Sequence, residues 1–73
     1  MAKKSGSGVY RVTEVIGTSA SSWEDAARQA VKTAARSLRD LRIAEITKLD
    51  VRIEGGKIVQ FRARVSLSFK YQA

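Results

Sequence analysis

The sequence predicts a small α+β domain of order β-α-β-β, with a three-stranded antiparallel sheet packed on one helix. Three observations carry this. Residues 57–71 alternate: Val59, Phe61, Ala63, Val65, Leu67, Phe69 and Tyr71 fall on one parity, and the other is polar apart from Ile58. Successive strand side chains point to opposite faces, so that strand has one apolar and one polar face. From residue 23 to about residue 40, apolar residues recur at spacings of three and four, as on a helix with one buried stripe. Gly55-Gly56 separates two alternating runs, a hairpin signal because the favoured turns need positive φ.

Residues 1–8, MAKKSGSG, are small and polar and read as a flexible tail, leaving 9–73 as a single domain. The first strand is expected over 9–16. Tyr10, Val12 and Ile16 share a parity broken by Glu14, and neither face is clean, which suits a strand partly covered on both sides.

Residues 17–22, GTSASS, end that strand and open the helix. Gly17 is read as supplying backbone freedom. Ser21 with Glu24 fits a capping box, and Ser22 competes as N-cap. A serine-rich loop ahead of a helix can also hold phosphate through free N–H groups. Without a glycine-rich fingerprint, plain capping is the simpler reading.

The helix carries Trp23, Ala26, Ala27, Ala30, Val31, Ala34, Leu38 and Leu41 on its apolar stripe. Glu24 and Asp25 suit its N-terminal dipole, and Arg36 and Arg39 its C-terminal one. Glu24–Arg28 and Arg36–Asp40 have the spacing of i,i+4 ion pairs. Alanines let the helix lie close to the sheet, and Trp23 reads as a packing anchor rather than a stacking platform.

The second strand is expected over 43–53. Its apolar parity changes near the middle, where a bulge or bend would account for it. The residues 54–57 turn then pairs the second and third strands antiparallel.

With 73 residues, the chain makes one domain with a marginal core. It has neither Cys nor His, so disulfides, zinc clusters and imidazole catalysis are excluded. Catalysis by other groups finds little support: Glu45 and Asp50, five apart on a strand, are expected on opposite faces. The chain is not expected to be an enzyme. No run approaches 18 apolar residues and no apolar segment follows Lys3 and Lys4, so a soluble cytoplasmic protein is expected, with neither membrane span nor secretory signal.

The net charge of +7 favours anionic partners. A basic nucleic-acid-binding module is one reading, drawing on Arg62, Arg64 and Lys70, but that face lacks the aromatics on which bases stack. Open sheet edges and apolar residues on the wrong parity, Ile46 and Ile58, point instead to a homo-oligomer.

The β-α-β-β order, the signature Val15-Ile16-Gly17-Thr18-Ser19, the Ser22-Trp23-Glu24 helix start, the Gly-Gly turn and the ending Val65-Ser66-Leu67-Ser68-Phe69-Lys70 together resemble the dodecins, from about residue 9 to residue 70. The resemblance implies a non-enzymatic hollow homododecamer that binds a small-molecule ligand at subunit contacts. In the family that ligand is a flavin (riboflavin or FMN), coenzyme A or a cation such as calcium. The flavin type stacks paired rings on a tryptophan early in the second strand, in a motif like L-D-W-F-E-V. The matching stretch here is Leu41-Arg42-Ile43-Ala44-Glu45-Ile46, with Ile43 at the tryptophan position. A glutamine that bonds the flavin ring matches Arg62. The resemblance therefore places a candidate cofactor site at Arg42, Ile43, Glu45 and Arg62. It leans toward the branch without the stacking tryptophan, which includes the calcium dodecins. No compact acidic loop is present to make a calcium site from one subunit.

Overall fold

The computed structural model describes residues 8–70. The proposed tail, Gly8 apart, and Tyr71 at the end of the last strand lie outside these residues. The element order is β1 (Tyr10–Ser19), α1 (Trp23–Ala34), β2 (Leu41–Glu54) and β3 (Lys57–Lys70), so the predicted β-α-β-β arrangement holds.

The last strand is the central one: the sheet order is β1-β3-β2 and both pairings are antiparallel. β3 takes the middle of the sheet, and the odd face of its central part is buried. Ala63, Val65 and Leu67 are fully enclosed, and they meet Ala26, Ala30 and Ala34 of α1. Val15, Ala27, Val31, Leu38 and Leu41 pack around this cluster.

Gly17 has a different role from the one expected. It lies inside β1, opposite Ala63, and is not among the glycines with positive φ. A Cβ there would stand 1.9 Å from the Ala26 carbonyl oxygen and 2.9 Å from the Ala30 Cβ. Gly17 therefore sets how closely helix and sheet approach. The conformational role belongs to Gly55 and Gly56, with φ of 57° and 76° in the hairpin turn, where glycine has no steric penalty.

Ser22, not Ser21, caps α1. Its hydroxyl accepts from the Asp25 backbone N–H at 3.0 Å, satisfying one of the donors that a helix start leaves open. Ser19 completes the loop: its hydroxyl donates to Asp25 Oδ2 at 2.7 Å and accepts from the Ser21 N–H at 2.9 Å. These bonds favour the capping role of the serine loop over phosphate capture.

The helix ends at Ala34 rather than near residue 40. Backbone bonds from Ser37 and Leu38 return to the Ala34 carbonyl, and Arg36 donates to Thr33. The turn brings Leu38 back against the core. Asp40, at φ 58°, then turns the chain into β2 through the left-handed region that Asp tolerates. The residues of the expected Arg36–Asp40 pair thus lie outside the helix. At its start the described ion pair is Arg28 with Asp25, at 4.0 Å, not Arg28 with Glu24.

The expected irregularity of β2 is present at several places. Its register on β3 shifts between Leu41 and Ile43, between Ile46 and Lys48, and between Arg52 and Ile53. Residues paired across strands share a face, so Ala44, Ile46, Leu49 and Val51 lie on the helix side with Leu67, Val65, Ala63 and Phe61. Ile46 is therefore on the core side, correcting its expected parity. Ile58 pairs with Ile53 beyond the register shift at Val59, which puts it on the parity of Val51 and corrects its expected face as well. Glu45 and Asp50 likewise share one face, because the shift near Thr47 falls between them.

The molecule measures 58 × 20 × 16 Å. Each hairpin strand has 14 residues against 12 in the helix, and a strand rises ~3.3 Å per residue against ~1.5 Å in a helix. The hairpin therefore overhangs the cover that α1 provides. Ile46, Leu49, Ile53 and Ile58 are all more than two-fifths exposed.

Candidate functional site

The sheet face turned away from α1 carries the polar chemistry. Along β3 it presents Gln60, Arg62, Arg64, Ser66 and Ser68, flanked by Tyr10, Val12, Glu14, Ile16 and Thr18 of β1 and by Ile43, Glu45, Lys48, Asp50 and Arg52 of β2. Short serines at one end leave a shallow floor between longer neighbours.

The structure separates the four candidate residues into two places. Arg42 occupies the register shift between Leu41 and Ile43. Arg42 and Ile43 border a recess of about 120 Å³, lined also by Val31, Leu41, Ala44 and Leu67. Ile43 pairs with Ser68 and is 59% exposed. Glu45 pairs with Ser66 on the same face. Arg62 stands four β3 residues before Ser66, roughly 13 Å away along an extended strand. Arg42, Ile43 and Glu45 thus form one cluster, and Arg62 is at another position.

Arg62 is already engaged. It pairs directly with Asp50 across the strands, its Nε donating to Asp50 Oδ1 at 2.7 Å and its second guanidinium nitrogen to Oδ2 at 3.0 Å. Two parallel charge-assisted bonds make the fork geometry in which Arg binds carboxylates or phosphates. The hydrogen bonds from Arg62, with smaller contributions from the charges of Arg62, Arg64 and Lys48, hold the Asp50 carboxyl below its usual value despite some desolvation. The same pair raises Arg62.

Asp50 is also fixed through its backbone. The Trp23 indole N–H donates to its carbonyl oxygen at 3.0 Å. The indole meets the Phe61 ring edge-on, with centroids 5.3 Å apart and planes at 77°. Trp23 is therefore a packing anchor, as its place on the apolar stripe indicates.

Glu14 and Glu45 were not linked by sequence reasoning. Both pair with Ser66, from opposite sides, so a Glu-Ser-Glu row crosses all three strands. Adjacent strands lie ~4.8 Å apart, which puts the two glutamate backbones roughly 10 Å apart over a short serine. Arg64 lies 4.0 Å from Glu14. Glu45 and Asp50 are four β3 rows apart, too distant to share a proton. Among the described residues no three His, Cys, Asp or Glu side chains form a metal-binding group, and no helix is long and apolar enough to cross a membrane.

A larger groove of about 700 Å³ runs between β1 and α1. Thr13, Ser19, Ser21, Thr33 and Ser37 are among its lining residues, with Asp25 and Gln29. None of the four candidate residues lines it.

Comparison with known proteins agrees with this architecture. The dodecin family model matches residues 9–72. The calcium dodecin of Mycobacterium tuberculosis is 39% identical over 62 residues, covering 85% of this chain and 87% of that protein. Its structure, described as that of a calcium chelating immunodominant antigen with a novel calcium-binding site, superposes with a TM-score of 0.78 at 42% identity, covering 88% of this chain and 91% of that one. A dodecin from Streptomyces coelicolor superposes with a TM-score of 0.86 at 36% identity, over 90% of this chain and 94% of that one. With a family match that runs from the first strand through the last, and with the same β-α-β-β course in solved relatives, the chain belongs to the dodecin family.

Proposed function

We propose that this chain is the subunit of a non-enzymatic dodecin shell, a cytoplasmic homododecamer built from a single domain over residues 9–73, that binds and stores a small ligand where copies meet. A cation such as calcium is the ligand that its site chemistry suits. The observation that carries this reading is Ile43: the position matching the flavin-stacking aromatic holds an aliphatic side chain, 59% exposed. Isoleucine offers no π face to an isoalloxazine ring. The aromatic pair Trp23–Phe61 is engaged with itself on the helix side, and Arg62 is taken by Asp50. These features weigh against the stacked mode of binding for riboflavin or FMN.

Calcium takes six to eight oxygen ligands. One chain supplies Glu14, Ser66 and Glu45 in a single row, which is a partial donor set. In this reading carboxylates from neighbouring copies complete it. The calcium-binding site described for the Mycobacterium tuberculosis relative supports the same direction. Oligomerisation is supported by the overhanging hairpin and by the exposed Ile46, Leu49, Ile53 and Ile58.

Light scattering after size exclusion, followed by calorimetric titration of chelator-treated protein with calcium and with riboflavin, tests the proposal. A defined oligomer that binds calcium, loses that binding on Glu45→Gln and leaves riboflavin fluorescence unquenched is expected. A monomer, or strong flavin quenching with no calcium heat, overturns it.

A further inference from the structure

We propose that Asp50 is a specificity-determining residue, whose carboxylate fills the fork of Arg62 and so closes this part of the sheet face to phosphate-bearing ligands. The inference rests on the reading above that this face is the ligand face. An arginine fork matches a phosphate as well as it matches a carboxylate. The Asp50 carboxylate is thus an intramolecular occupant of an anion site, at 2.7 and 3.0 Å, and an incoming anion must displace it.

Three further features make Asp50 hard to displace. It sits directly opposite Arg62 in the register, so neither chain segment has to move for the pair to form. Its backbone is tied to the helix by the Trp23 indole. The positive charges of Arg64 and Lys48 also favour its ionised form. A tethered partner competes at a high effective concentration, against which a free anion at ordinary concentration is weak.

The same surroundings define what Asp50 suppresses. Without its charge, Lys48, Arg62 and Arg64 occupy adjacent rows, Lys48 opposite Arg64 and residue 50 opposite Arg62. Three cations on two neighbouring strands, with the fork vacated, would attract a phosphate group by charge and by directed hydrogen bonds. The native residue keeps a neutral pair there, compatible with a shell that takes cations nearby at the glutamate row.

The experiment titrates inorganic phosphate, and then FMN against riboflavin, into the intact assembled protein. Binding is read by calorimetry and by Trp23 fluorescence, since Trp23 is the chain's single tryptophan and touches Asp50. The wild type is expected to show no saturable phosphate binding and no preference for FMN over riboflavin. Asp50→Asn is expected to bind phosphate at least about tenfold more tightly, and Asp50→Asn with Arg62→Ala to lose that gain. Asp50→Ser serves the same purpose should the amide disturb assembly. The proposal is overturned if neither Asp50 variant gains affinity while assembled. It is equally overturned if the wild type binds phosphate and Arg62→Ala removes that binding, a result independent of whether any Asp50 variant folds. Calcium titration of the same samples separates the two readings: loss of the cation proposal shows as absent calcium heat, whatever phosphate does.

Discussion

The indole N–H of Trp23 and the backbone carbonyl of Asp50, 3.0 Å apart, fasten the first turn of the helix to the second strand. α1 otherwise packs chiefly on β1 and β3 through its small residues. This bond therefore holds β2 to the helix layer, while the edge-on contact with Phe61 ties the same indole to β3. Trp23→Phe retains a ring but removes the donor, and is expected to cost about 1 kcal/mol. Trp23→Ala also removes the ring contact from a partly exposed site, and roughly 2–3 kcal/mol is expected. Denaturant unfolding of the three proteins at one protomer concentration checks the order.

Gly17→Ala is expected to be among the most damaging single-methyl additions in the chain. The new Cβ would lie 1.9 Å from a backbone oxygen of Ala26, which no side-chain rotation can relieve. Helix and sheet must separate, at roughly 3 kcal/mol or more. A control, Gly8→Ala, meets nothing within 4 Å and is expected to leave the midpoint in place. Thermal unfolding of both variants checks the contrast.

Ile43→Trp is expected to raise affinity for riboflavin by up to about tenfold, the contribution of one aromatic stacking contact. The exposed position on the face away from the helix accommodates the larger side chain in the monomer. Quenching of flavin fluorescence by the variant and the parent protein provides the measurement. Unchanged quenching would separate this position from flavin recognition.

Acidification bears on Asp50. Its folded-state carboxyl is held below the ordinary value of 3.8, so the unfolded chain takes up the proton first. The resulting stabilisation is fully present above the ordinary carboxylate range and is lost as pH falls through the lower folded-state value. Carbon-13 titration of the Asp50 carboxyl is expected to show a midpoint below that of Asp carboxyls lacking such a partner. Arg62→Gln should return it toward 3.8.

The element order and the β2–β3 hairpin were legible because they rest on periodicity and a turn signal, whereas the central place of β3 in the sheet was not. Val65 and Leu67 lie where alternation puts them, and Gly55-Gly56 makes the turn that their permissive φ allows. Three further features were hidden. The helix carries good helix formers past Ala34 and no glycine to stop it, so only the pull of Leu38 back to the core reveals its end. Gly17 matters through what lies against it, which spacing along one chain does not report. Asp50 meets Arg62 only because β3 carries an extra residue, Val59, between the partners of Arg52 and Ile53. Counting outward from Glu54↔Lys57 without that extra residue sets Asp50 against Phe61, on the wrong face. A one-residue shift reverses every side chain beyond it, and the second shift, near Thr47, restores the earlier count. The partner of Arg62 was thus not legible from spacing along the chain.

The central position of β3 has a consequence for how the molecule is made. β2 and β3 are chain neighbours joined by a tight turn and can zip early, because the loop to be closed is short. β1 must return from the far end of the chain to find β3, matching Tyr10 to Lys70 and Gly17 to Ala63. Such distant pairings form late and slowly. The hairpin is then the seed of the sheet, and the arrival of the first-made strand is the step that sets the pace of maturation.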